Sequence, residues 1–117
     1  MTIKRIKCGE RMSQAVVFNG TVSTAGQVAQ RAKGGTAAEQ TEDILKEIDS
    51  LLGEAGTDKS QLLTATIWLS DMGDFAEMNG IWDAWVSPGN TPTRACVESP
   101  RLASPEFTVE IAVTAAV

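Results

Sequence analysis

The chain has 117 residues, enough for one domain around one hydrophobic core. Hydrophobic residues make up 43% and charged residues 21%, a globular balance that excludes a disordered or fibrous chain. Ten Lys and Arg against fifteen Asp and Glu leave a net charge of −5, which argues against a phosphate-binding surface, because that needs clustered cations.

What is missing narrows the chemistry. There is no histidine, so the commonest general base and metal ligand is absent. Cys8 and Cys96 lie far apart and form no CxxC pattern, and a zinc site takes about four ligands. No metal site is expected. Two lone cysteines suit free thiols in a reducing compartment. The start, Met1 to Ile6, alternates like a strand and lacks the apolar run of a signal peptide. No stretch approaches the roughly 20 apolar residues of a membrane span. These features point to a cytoplasmic protein with neither nucleic acid nor membrane as partner.

Met1 to Lys7 reads as an added strand. Ala15, Val16, Val17 and Phe18 then lead into Asn19-Gly20, followed by Thr21, Val22 and Ser23. Asn-Gly between β-prone runs predicts a hairpin with a type I′ turn. Ala32 to Gly35 reads as a loop. Thr36, with Glu39 three residues on, predicts a capping box. Ile44, Leu45, Ile48, Leu51, Leu52 and Ala55 follow at helical spacing. Glu42 and Lys46 can pair on the outer face, and Gly53 or Gly56 can end the helix.

Leu63, Ala65, Ile67 and Leu69 alternate with Thr64, Thr66 and Trp68, the pattern of a strand. A second helix starts after Asp71 or Asp74, with Phe75, Met78, Ile81, Trp82 and Trp85 as its buried face. Ser87 to Asn90 ends it. Thr93 to Glu98 is a strand. Phe107, Val109, Ile111, Val113 and Ala115 mark the last one. The expectation is a single α+β domain over 1–117, in the order β-β-α-β-α-β-β, with a sheet backed by two helices. The other sheet face carries Thr64, Thr66, Trp68, Thr108, Ala112 and Thr114. These are poor as a lone core and unusual as a fully wet face, so they suit self-association.

Period two puts Arg94, Cys96 and Glu98 on one strand face and Ala95 and Val97 on the other. A guanidinium fork matches a carboxylate in a two-point contact and keeps its charge. Glu110, on the following strand, can orient or deprotonate a water. An Arg and a Glu on adjacent strands equally suit a cross-strand ion pair or a solvated surface. Cys96 has no His to activate it.

Several segments resemble the RidA/YjgF family, in the family order and through nearly the whole chain. Asn19 to Gln27 resembles its hairpin. Asp74-Phe75-Ala76-Glu77-Met78-Asn79 resembles a second family segment. Arg94-Ala95-Cys96-Val97-Glu98 resembles its Arg-x-Cys-Val-Glu signature, followed by Leu102 and Val109-Glu110-Ile111. The resemblance implies a chorismate-mutase-like fold, assembled as a homotrimer with clefts between subunits. It implies hydrolysis of 2-aminoacrylate and related enamine or imine acids to 2-keto acids and ammonia, without a cofactor.

Carried over by residue, Arg94 holds the substrate carboxylate and the Cys96 backbone helps seat it. Glu110 positions the attacking water, Gly26 lines the cleft with its backbone, and Asn79 matches a cleft residue. Ala25 stands where the family has Ser, and Met12 where the best-known members have Tyr. Both belong to the implied substrate cleft, and they suggest a YoaB-like side branch. The competing reading is a trimeric small-carboxylate metabolite-binding protein without turnover.

Overall fold

The computed structural model describes residues 2–117. Its elements are β1 (Lys4–Ile6), β2 (Ala15–Phe18), β3 (Thr21–Thr24), β4 (Gln27–Val28), α1 (Ala37–Ala55), β5 (Leu62–Leu69), α2 (Phe75–Trp85), β6 (Thr93–Glu98) and β7 (Val109–Ala116). The added first strand is present as β1; Met1 lies outside the described residues. The short β4, which the sequence reading missed, continues the path of β3 after a break at Ala25 and Gly26.

One mixed sheet holds the strands, in the order β1-β2-β3-β7-β5-β6, with β4 also paired to β7. The first hairpin closes at Asn19 and Gly20, with φ of 54° and 75°, the left-handed pair a type I′ turn requires. Val17 then faces Val22, which fixes the register. Only β5 and β6 run parallel, because α2 carries the chain back between them. β6 is an edge strand with a partner on one side only.

The first helix is built as its sequence suggests. Thr36 accepts from the Glu39 N–H, and the Glu39 carboxylate accepts from the Thr36 N–H. Gly56 ends it with φ 88°. Ile44, Leu45, Ile48, Leu51 and Leu52 are fully buried against Ile67, Ile111 and Val113. Each such side chain contributes about 1.5–3 kcal/mol by leaving water. Glu42 and Lys46 do not pair. The ion pairs beside them link the helix outward instead: Asp43 to Arg31 at 3.2 Å, and Glu47 to Arg31 at 3.1 Å and to Lys7 at 2.9 Å.

Both candidate starts of the second helix are used. Asp71 accepts from the Gly73 N–H across a short 3-10 turn, and α2 begins after Asp74. Its buried face is narrower than expected. Met78 and Trp82 are buried, Ile81 and Trp85 are half-buried, and Phe75 is 38% exposed. The reason is position: α2 lies over the edge strand β6, beyond which there is no further strand to cover Phe75. Glu77 accepts from the Ala38 N–H at 2.7 Å, so α2 satisfies a free donor at the start of α1.

The second sheet face is open. Thr64 faces Thr114, Thr66 faces Ala112 and Trp68 faces Glu110 on that side. Phe18 and Val97, also turned to it, are 44% and 46% exposed.

Beneath the helices, buried Gln40 clamps the loop that leads into β7. It donates to the Gly35 and Glu106 carbonyls and accepts from the Thr108 N–H, all at 2.9–3.0 Å. Gln40→Leu leaves these groups unsatisfied. Urea unfolding of that variant is expected to show a loss of about 2–4 kcal/mol. An unchanged midpoint would contradict the clamp.

Candidate active site

Arg94 projects from β6 toward the helices, on the face of Ala65 and Ile67. One Nη1–H donates to the Asn79 Oδ1 at 2.8 Å. The guanidinium carbon lies 5.4 Å from the centre of the Trp82 ring and 5.9 Å from that of Phe75. Phe75, Asn79 and Trp82 stand at i, i+4 and i+7, one face of α2, so a single helix supplies the whole seat. Cation–π attraction of this kind is worth about 0.5–2 kcal/mol, more as water is excluded.

No carboxylate pairs with Arg94 among the described residues. Glu98, two places beyond Cys96 on the same face, is committed elsewhere: it accepts from the Met72 N–H at 3.0 Å. The result is a half-buried cation, held by an amide and two rings, with donors left over. A carboxylate is the partner that geometry lacks. Asn79 therefore touches Arg94, and its carbonyl is already used. Cys96 sits beside this seat. Burial pushes its thiol above the ordinary range, only partly offset by the positive charge of Arg94. It stays protonated at neutral pH and is a poor nucleophile.

Glu110 points the other way, into the open face. It makes neither ion pair nor hydrogen bond within the described residues. Burial raises its pKa above the ordinary carboxyl value. Gly26 lies directly against it: a Cβ there would come within 2.0 Å of the Glu110 Oε2 and 2.8 Å of its Cδ. A side chain at residue 26 would push the Glu110 carboxyl from this place. Gly26 also borders a cavity of ≈ 430 Å³ whose walls include Met12, Gln14 and Arg31. Ala25 adjoins it, its N–H donating to the Gln14 carbonyl at 2.8 Å.

The site residues thus fall into two groups. Arg94, Asn79 and Cys96 gather under α2. Glu110 points to the open face with Gly26 against it, while Met12 shares with Gly26 a cavity that Asp43 and Glu47 of α1 also line, and Ala25 adjoins Gly26. The expectation that Arg94 and Glu110 occupy adjacent strands is corrected: β5 lies between β6 and β7. The two strands are about 10 Å apart, and the two side chains leave opposite faces. One subunit cannot bring both to one small substrate. The aromatic seat and the place of Trp68 beside Glu110 were missed from sequence. The spacing of Phe75, Asn79 and Trp82 was the available signal for the seat.

A sheet with one open face, two helices on the other and an unpaired arginine on its edge strand defines a class of small α+β domain. Residues 2–117 match the family described as Endoribonuclease L-PSP. A RutC family protein of Haemophilus ducreyi is 45% identical over 115 residues, covering 98% of this chain and 97% of the relative. The RutC family protein YoaB of Escherichia coli is 43% identical over 117 residues, the full length of both. A crystal structure of NMB1025, a YjgF family member from Neisseria meningitidis, superimposes with a TM-score of 0.94 at 52% identity, covering 99% of this chain and 95% of that one. The chain belongs to the RidA/YjgF family. No helix among its described residues is long and apolar enough to cross a membrane.

Two variants test the Glu110 environment. A carboxyl with a raised folded pKa stabilises fully below its ordinary pKa and loses that contribution as pH rises through the folded value. Ionised Glu110 is therefore a burden at neutral pH. Glu110→Gln is expected to melt at a higher temperature than wild type at pH 8, with the gap shrinking below the ordinary carboxyl pKa of about 4.3. A pH-independent gap would contradict the assignment. Gly26→Ala is expected to destabilise, and Gly26→Ala with Glu110→Ala to recover most of the loss in thermal melts. Additive effects would show that the two residues do not meet.

Proposed function

We propose that this protein is a homotrimeric hydrolase of 2-imino and enamine acids of the 2-aminoacrylate type, yielding 2-keto acids and ammonia. The observation that carries the reading is Arg94: half-buried, seated on Trp82, Phe75 and Asn79, and without a carboxylate of its own. A 2-imino acid supplies that carboxylate. The open sheet face, exposed Phe18 and Val97, and the one-sided β6 edge support self-association. Association also supplies what one subunit lacks: Arg94 of one subunit beside Glu110 and Gly26 of its neighbour, with Met12 and Ala25 lining the cleft.

The chemistry asks little of the protein. An enamine acid becomes the imine by gaining a proton at C3 and losing one from nitrogen, and the imine carbon is then electrophilic. Arg94 fixes the carboxylate, with the Cys96 backbone helping to seat it, and this restricts where C2 can lie. Fixing such geometry supplies several kcal/mol of the barrier. Glu110 aims a water at C2 and takes its proton. General-base assistance is worth roughly 10²–10⁴-fold. The water oxygen bonds C2, the C=N pair moves to nitrogen, and the nitrogen leaves as ammonia once protonated.

A second reading is a trimer that holds a small carboxylate without turnover. Met12 and Ala25 favour it, since neither offers a hydroxyl where the family pattern has one. An RNA-directed activity gains no support from a chain of net charge −5 without histidine.

Both readings are separated by one assay. An amino-acid oxidase generates the imine, and its decay and the release of ammonia are followed with this protein present. Acceleration is expected, lost in Arg94→Ala with the oligomer intact and lowered roughly 10²–10⁴-fold in Glu110→Gln. Cys96→Ser is expected to keep activity. Absence of acceleration, with carboxylate ligands still raising the melting temperature, would select the binding protein.

A further inference from the structure

Glu110 is the one acidic side chain that the strands turn toward the open face; Glu98, the other strand carboxylate, faces the helices. Its neighbours across the sheet are apolar on both sides. Val28 of β4 pairs with it in register on one side, and Trp68 of β5 on the other. Direct cross-strand partners on one face hold their Cβ atoms about 4.5–5.5 Å apart. Above it lies the Gly26 backbone, and the residues two places along its own chain are Ala112 and Thr108, neither of them titratable.

We propose that Trp68 is a positioning residue for Glu110: with Val28 it walls the carboxyl on both sides, so that one group carries protons from the attacking water to the departing nitrogen. The reaction in this inference rests on the imine-hydrolysis reading; the apolar slot does not. Water adds across C=N as its oxygen bonds C2 and the π pair moves to nitrogen. Glu110 carries one water proton to that nitrogen. In the second step it carries the hydroxyl proton of the carbinolamine to the nitrogen, the C–N pair leaves with ammonia, and the keto C=O forms. No electrons enter or leave.

A group with this task works best when its pKa lies near the working pH rather than far below it. The slot acts in that direction, since burial favours the neutral carboxyl. No titratable side chain faces Glu110 from β4, from β5, from the Gly26 link or from its own strand. The other charged group turned to this face is Arg5, on β1, three strands away. In the proposed trimer, Arg94 of the neighbour is the one further charge at the cleft, and the substrate carboxylate neutralises it.

The test is a 13C-carboxyl NMR titration of Glu110 in the full-length protein saturated with pyruvate, whose carboxylate occupies Arg94 as the substrate's does. The midpoint is expected above the ordinary value of about 4.3 in wild type and in Trp68→Phe. In Trp68→Thr, which opens one wall, it is expected to fall by roughly half a unit or more, and the acid limb of kcat, which reports the substrate-bound enzyme, to move with it. The same midpoint in Trp68→Thr as in wild type would overturn the inference. Should that variant not fold, Val28→Thr opens the opposite wall and is read in the same way. A midpoint that moves while no variant hydrolyses imine would keep the slot and remove the reaction.

Discussion

A β-strand alternates its side chains between two faces, and that simple constraint governs the arrangement of this site. The register of β5 with β6 places Arg94 among Ala65 and Ile67, under the helices. The register of β5 with β7 places Glu110 beside Trp68, on the open side. The strongest anion seat and the one unpaired strand carboxyl are therefore turned away from each other. Any chemistry that needs both must borrow one from another copy of the chain.

The two halves are prepared differently. Arg94 is oriented by groups that carry no opposite charge. An amide oxygen takes one N–H, and the rings of Trp82 and Phe75 lie within cation–π distance of the guanidinium. An acidic side chain in the same place would have consumed the charge. Glu98, the nearest such residue on the strand, is tied to the Met72 N–H instead. Glu110 is prepared by exclusion. Gly26 presses on it, apolar partners flank it, and no donor stabilises its ionised form. The Glu110 half is costly to the isolated fold, because burial opposes its ionised form.

Much of the scaffold was legible in the sequence. The Asn19-Gly20 hairpin, the Thr36 capping box and the stripe from Ile44 to Ala55 stand where local rules place them. The open face of Thr64, Thr66, Trp68, Ala112 and Thr114 followed from period two alone. What was not legible depends on tertiary order. Nothing local says that β5 inserts between β6 and β7, so Arg94 and Glu110 looked like neighbours. Phe75 read as core because helical spacing does not reveal where a sheet ends. The ion pairs α1 does make, Asp43 and Glu47 with Arg31 and Glu47 with Lys7, join residues remote in sequence, which helical spacing does not reveal.

In the proposed trimer one cleft takes Arg94 from one subunit and Glu110 from the next. Co-refolding Arg94→Ala and Glu110→Ala chains tests it most directly, because each variant alone lacks one half of every site. Random mixing in a cyclic trimer leaves one native cleft in every mixed assembly, so about a quarter of wild-type imine hydrolysis is predicted to return. A mixture as inactive as the separate variants, with mixed trimers verified by mass, would contradict the account and place both residues in the same subunit's site.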